Sequence, residues 1–131
     1  MKHIQVAAAV LQKDGKIFIA QRPANKLPPL KWEFPGGKPE AGETLPQALK
    51  RELREELGIE TVIGDFIAQT TYIYDFAQVE INLFYATMQD ENVTIVDTEH
   101  TAVAWVFRNE LSNYDFAPAD IPLLKHLTAE I

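Results

Sequence analysis

GGKPEAGETLPQALKRELREELGI, residues 36–59, joins a glycine turn, a helix start, a run of acids and a helix stop without interruption. Thr44-Leu45-Pro46-Gln47 has the form of a capping box, with Thr44 as N-cap, Gln47 at N3 and a proline where a first turn accepts one. Gly58 supplies the left-handed stop. Counting about 100° per residue from Leu45, the leucines at 45, 49, 53 and 57 fall within an arc of roughly 120°, while Gln47, Lys50, Arg51 and Arg54 occupy the opposite side. Glu52 and Glu56 land beside the leucines, between them and Ala48, and Glu55 lies next to that pair. Water would not choose this place for three carboxylates. Close carboxylates in a partly dry site repel and lose hydration, so either some hold protons or a cation neutralises them, and a divalent metal is the simpler answer.

Working outward, 131 residues with 47% hydrophobic content suffice for one domain spanning 1–131 with a real core. The chain has no cysteine, which excludes disulfide and thiol chemistry and suits a reducing, cytoplasmic setting. The apolar run from Val6 to Leu11 is too short to span a membrane and is not followed by a recognisable signal cleavage pattern. Twelve basic against nineteen acidic residues, a net charge of −7, argue against a nucleic-acid polymer as ligand but not against a small phosphorylated one that brings a metal. The composition is compatible with a monomer or a homodimer.

In chain order, residues 3–11 read as a buried strand and 16–21 as a second, joined by the turn dipeptide Asp14-Gly15. Arg22 then opens a proline-containing loop, placed either as a surface arginine or as a phosphate clamp at a strand end. A short run at 32–34 precedes Pro35-Gly36-Gly37. Residues 61–74 and 79–88 are rich in β-branched and aromatic side chains and predict a hairpin, 102–107 a short strand and 109–114 a helical turn. Residues 121–131, with Ile121, Leu124 and Leu127 on one side, predict a terminal amphipathic helix. Mixed strands with two helices around one core make an α/β sandwich.

Gly37, five residues, Glu43, seven residues, then Arg51-Glu52-Leu53-Arg54-Glu55-Glu56-Leu57-Gly58-Ile59 resembles the Nudix box at every defined position. The resemblance extends to the MutT type of nucleoside triphosphate pyrophosphohydrolase through Arg22, EFPGGK (33–38), Glu99 six residues before Trp105, and FAPADIPLL (116–124). It implies a Nudix α/β/α sandwich with a mixed sheet between helices, and hydrolysis of a nucleoside diphosphate joined to another group with Mg2+ or Mn2+. Oxygen ligands in this number suit magnesium better than zinc. By resemblance the Gly36 carbonyl, Glu52, Glu55, Glu56 and Glu99 hold metal, Glu52 alternatively activates water, and Arg51 orients Glu52. Glu43 is either an acid at the helix start or an outer partner of the glutamates.

Lys38 is expected to contact phosphate, and Phe34, with Trp32, Tyr74, Phe76 and Phe84, is a candidate to stack on a base. Asp120 stands where the MutT pattern has asparagine. An ionised aspartate only accepts hydrogen bonds, which suits the amine of cytosine or adenine or the ring-edge hydrogens of guanine, whereas meeting a guanine O6 requires a protonated one. A second role for Asp120 is as N-cap of the last helix. His3, His100 and His126 share no spacing and are assigned no catalysis. The resemblance implies a nucleotide-pool sanitising enzyme that cleaves 8-oxo-dGTP, or CTP, dCTP and modified dCTP, to monophosphate and pyrophosphate. The alternatives are a Nudix hydrolase acting on ADP-ribose or an RNA 5′ end, and a non-catalytic nucleotide sensor, against which the complete set of box carboxylates argues.

Overall fold

Asp14 and Gly15 take φ of 53° and 75°, the consecutive left-handed residues that a two-residue type I′ hairpin requires. In the computed structural model, which describes residues 1–128, they join β1 (His3–Lys13) to β2 (Lys16–Gln21). Then come β3 (Trp32–Glu33), β4 (Gly36–Gly37), helix α1 (Leu45–Leu57), β5 (Thr61–Ile73), β6 (Gln78–Met88) and β7 (Ala102–Val106). The sheet order is β3-β2-β1-β6-β5, with β4 also on β1 and β7 also on β2. β1 and β6 run parallel from His3 opposite Gln78 to Gln12 opposite Thr87, while the other pairings are antiparallel. The sheet is therefore mixed, as expected.

β1 is apolar on consecutive residues because both its faces are covered. Ala7, Ala9 and Leu11 pack with Phe18, Ala20 and the α1 residues Leu49, Leu53 and Leu57. Ala8 and Val10 turn the other way, into a cluster with Ile17, Ile19, Phe34, Leu111, Phe116, Leu123 and Leu127. This is the helix–sheet–helix sandwich. β4 had no strand signal; its two glycines pair with Ala8 and Ala7. A Cβ on Gly36 would run into the Ala7 carbonyl oxygen, so only glycine permits this approach.

The C-terminal part departs from expectation. The helical turn expected at 109–114 is present, as a 3-10 helix over Arg108–Asn113, and the difference lies in the segment after it. In place of one helix from 121, a 3-10 turn at Ile121–Leu123 passes into the short helix α2 (Lys125–Thr128), and residues 129–131 of the expected helix lie outside the described residues. Leu123 and Leu127 are the buried pair, whereas Ile121 is 52% exposed. Pro122 and the tight 3-10 turn rotate the apolar side by about one residue relative to a regular helix.

Candidate active site

Helix α1 places the acids. Thr44 Oγ1 accepts from the Gln47 N–H and the Gln47 side chain accepts from the Thr44 N–H, closing the predicted capping box, and Gly58 ends the helix at φ 68°. Arg51 stands on the polar arc, yet its side chain is only 18% exposed because the loop carrying residues 38–43 folds over it. Its guanidinium forks onto Glu43, with Nε to Oε2 at 2.8 Å and Nη2 to Oε1 at 2.9 Å. Nη2 also donates to the Lys38 carbonyl, and Nη1 donates to Glu52 Oε1 at 2.9 Å and to Glu55 Oε2 at 3.1 Å. These bonds, those to Glu43 first and Glu52 next, hold Arg51 protonated above its ordinary range. The same fork keeps the Glu43 carboxyl below its usual range. Of the two readings of Glu43, the structure has the outer partner: its carboxylate faces Arg51 and the Glu40 N–H, not the helix axis.

A cavity of about 420 Å³ opens beside α1. Glu52, Glu56, Glu99, Gly36, Gly37 and Lys38 are among the residues that line it. Glu55 does not; it is exposed and turned to Arg51. Glu56 is 8% exposed with Oε2 buried and unpartnered. Burial pushes its carboxyl up to about 8, opposed by the charge of His100 and reinforced by Glu52 and Glu99. A side chain on Gly37 would collide with the Glu52 carboxylate, so Gly37 is the groove in which that carboxylate lies. Glu99 pairs with Lys26 at 3.5 Å. Among the described residues no group of three or more His, Asp or Glu side chains is already gathered for a metal ion. Arg51 holds Glu52 and Glu55, and Lys26 pairs with Glu99. An orphaned buried carboxylate oxygen beside further carboxylates in an all-oxygen setting nevertheless fits a hard divalent cation.

The cavity is also lined by Arg22, Glu33, His100, Tyr74, Phe76 and Asp120. Arg22 is bound within the protein: Nη1 donates to Glu33 Oε1 at 2.8 Å and Nη2 to the Leu27 carbonyl at 2.7 Å, and Nε is buried without a partner. Glu33 Oε2 meets His100 Nε2 at 2.9 Å, while His100 Nδ1 meets Asp97 Oδ2 at 2.9 Å. His100 is therefore central to this wall, although sequence reasoning set it aside. The available signal was local, an aspartate three residues before a histidine next to Glu99. Burial pulls the imidazole down, but the hydrogen bond to Glu33 and the charges of Glu33 and Asp97 outweigh it and push it up to about 9. With a carboxylate oxygen on each ring nitrogen, both nitrogens must donate.

Asp120 is 3% exposed and forms no side-chain cap to the turn it precedes, so the N-cap alternative does not hold. Burial and the nearby Glu33 push its carboxyl well above the usual range, with Arg22 opposing. Phe34 lines the cavity but is a core residue, 3% exposed and packed on Phe116 at 5.4 Å. Trp32 packs edge-on against Tyr114 and Phe84 against Phe66, both away from the cavity lining. Of the stacking candidates, Tyr74 and Phe76 remain, with near-parallel rings 5.0 Å apart and Phe76 42% exposed. The Tyr74 hydroxyl accepts from the Ala119 N–H at 3.0 Å and so ties the hairpin to the segment carrying Asp120.

A capped helix whose carboxylates face a cavity across a mixed sheet defines the class. Residues 1–127 match the NUDIX domain model, and the chain belongs to the Nudix family of hydrolases. It is 44% identical over 129 residues to the CTP pyrophosphohydrolase of Escherichia coli K12, an alignment covering 98% of this chain and 94% of that one. It is 33% identical over 130 residues to the 8-oxo-dGTP diphosphatase of Haemophilus influenzae, covering 98% and 94%. The solution structure of the Escherichia coli ORF135 protein superposes with a TM-score of 0.82 at 43% identity, covering 98% of this chain and 91% of that one. Nudix hydrolases in general work with a divalent metal. No helix among the described residues is long and apolar enough to cross a membrane.

Proposed function

We propose that this Nudix hydrolase is a magnesium-dependent nucleoside triphosphate pyrophosphohydrolase that sanitises the cytoplasmic nucleotide pool. It cleaves CTP, dCTP and modified dCTP, or 8-oxo-dGTP, to nucleoside monophosphate and pyrophosphate. The observation that carries this reading is a single cavity lined both by the carboxylates of Glu52, Glu56 and Glu99 and by a buried, uncapped Asp120 with Tyr74 and Phe76. That lining matches a ligand with a polyphosphate at one end and a flat, hydrogen-bonding base at the other. The high identity to a CTP pyrophosphohydrolase and the match to 8-oxo-dGTP diphosphatases support the same substrate class.

Glu52, Glu56 and Glu99, with the Gly36 carbonyl, would hold the Mg2+ or Mn2+ ion; Glu55 would join only by leaving Arg51. When bound, the ion neutralises the phosphate oxygens and the charge that builds on the leaving group. Arg51 fixes Glu52 through Oε1 and leaves Oε2 toward Gly37 and the cavity, a position from which it would either hold the ion or take a proton from the attacking water. Lys38, exposed at the rim and without an ion pair among the described residues, meets the phosphates. Arg22 supports the Glu33 wall with its terminal nitrogens and has only the buried Nε in reserve. Asp120 reads the base edge, and Tyr74 and Phe76 form the aromatic surface beside it. The test is incubation with magnesium and a panel containing CTP, dCTP, 5-methyl-dCTP, 8-oxo-dGTP, ADP-ribose and capped RNA. Monophosphate and pyrophosphate from a triphosphate are expected; orthophosphate, or faster turnover of ADP-ribose or capped RNA, would overturn the reading.

A further inference from the structure

Residues 97–101 form a turn anchored near both ends, where the Thr98 N–H donates to the Glu56 carbonyl at 3.3 Å and the Thr101 N–H to the Gln21 carbonyl at 2.9 Å. Inside it, Asp97 Oδ1 accepts the N–H groups of both Glu99 and His100, each at 2.8 Å. The other oxygen, Oδ2, meets His100 Nδ1, so one aspartate fixes both the backbone of the turn and the orientation of the imidazole. The far ring nitrogen reaches 67 residues back along the chain to Glu33 on β3. Glu33 then passes its second oxygen to Arg22, whose other arm holds the Leu27 carbonyl in the loop forming the cavity rim. His100 and Asp97 are nearly buried, with side chains 4% and 7% exposed, while Glu33 and Arg22 are about a fifth exposed, at 21% and 23%. The chain of contacts runs from a dry anchor to the cavity wall.

From this geometry we propose that His100 is a positioning residue for the nucleotide: it locks the Glu33 carboxylate, and through it Arg22 and the 22–28 loop, into the wall that faces the base-reading Asp120. The inference rests on the proposed nucleotide site but not on the bond cleaved there. A carboxylate held at both oxygens by fixed donors keeps one orientation, and preorganisation of this kind lowers the cost of ordering a ligand. Without the imidazole, Glu33 keeps one of its two supports, Asp97 Oδ2 loses its partner while Oδ1 keeps the two backbone N–H groups, and the buried link between the wall and the Glu99 turn is lost, leaving the half-exposed Lys26–Glu99 pair between them. Charge-assisted bonds in a partly buried chain are also coupled, so removing either end of the His100–Glu33 link removes one shared interaction.

The experiment combines H100F, H100Q, E33Q and the H100F/E33Q double variant in the full chain. Calorimetry in EDTA measures binding of CMP, dGMP and 8-oxo-dGMP, steady-state kinetics give kcat and KM on the matching triphosphates, and thermal melts confirm that each variant is folded at the assay temperature. H100F is expected to weaken monophosphate binding and raise KM by about tenfold, with a smaller change in kcat. H100Q, which retains a donor toward Glu33, is expected to recover most of the loss. In the E33Q background H100F should add less than about twofold. Wild-type binding in H100F, no recovery in folded H100Q, or losses from H100F and E33Q that multiply would overturn the proposal. Wild-type protein that binds a monophosphate but hydrolyses no triphosphate would remove the proposed reaction while leaving the His100 coupling to be read from binding alone. A folded wild-type protein that binds none of the three overturns the positioning role, whatever its hydrolysis shows.

Discussion

Glu52 and Asp120 carry the same carboxyl group in two different surroundings. Glu52 is held on one oxygen by Arg51 at 2.9 Å and has its carboxylate against Gly37, so a substitution that keeps the shape and removes the charge isolates its chemistry. E52Q is expected to lower kcat by about two to four orders of magnitude with an unchanged melting profile; a variant turning over the best triphosphate at the wild-type rate would remove Glu52 from the mechanism. Asp120 sits with no side-chain cap in a buried wall. Since base-edge hydrogen bonds discriminate by about 1–3 kcal/mol, D120N is expected to change the ratio of kcat/KM for CTP to that for 8-oxo-dGTP by about tenfold. A ratio unchanged within twofold would show that the base is read elsewhere. At this scale the box residues were legible because they follow helical spacing. Glu33, Asp97 and His100 were not, because their link joins residues 67 positions apart and leaves no periodic trace.

Helix α1 is the element on which the carboxylates depend. Leu49, Leu53 and Leu57 are fully buried against Ala7, Ala9 and Leu11 of β1, and this packing sets the rotation of the helix and hence where Glu52 and Glu56 point. L53A removes the central contact and is expected to cost about 2–5 kcal/mol, seen as a lower denaturation midpoint with the m-value unchanged. A loss below about 1 kcal/mol would mean that α1 is held by its caps and loop contacts instead. The ends of the helix were readable because Thr44, Gln47 and Gly58 act locally. The terminal segment was not, because a period of apolar residues at 121, 124 and 127 is shared by a helix and by a 3-10 turn followed by one, and only packing of Leu123 and Leu127 under the sheet selects between them.

For the whole molecule, the buried groups make stability depend on pH in one direction. Folded Glu56 titrates at about 8 against an ordinary 4.5, so as pH rises through that window the unfolded chain gives up its proton first and the folded state loses stability. Folded His100 stands at about 9 against 6.5; its contribution is full below 6.5 and is lost as pH rises through 9. Asp120, raised by burial, acts with the same sign as Glu56. Glu43 and Glu60, both lowered by arginine partners, give stability that is present above 4.5 and fades as pH falls; the Arg54–Glu60 pair is about half exposed and contributes little. Protein kept in EDTA is therefore expected to melt at progressively lower temperature from pH 6 to pH 9. Magnesium should restore much of the loss by stabilising ionised Glu56, and E56Q should flatten the curve below pH 8 and abolish the magnesium effect. A melting temperature that rises over this range would contradict the burial assigned to these groups.

By itself the sequence determined the capped helix, the β1–β2 and β5–β6 hairpins, the mixed α/β class and the family, because each is written in local spacing: leucines and glutamates at three and four, turn glycines, alternating strands. It also grouped Arg51, Glu52, Glu55 and Glu56, and the family resemblance added Glu99. Tertiary structure alone decided that Glu55 stays on Arg51 while Glu52, Glu56 and Glu99 line the cavity. It spent the Arg22 fork on Glu33 and Leu27, buried Phe34 in the core, kept Tyr74 and Phe76 at the cavity wall, and set His100 between two carboxylates. Burial and the meeting of distant segments fix those outcomes, and neither is a property of any short stretch of chain.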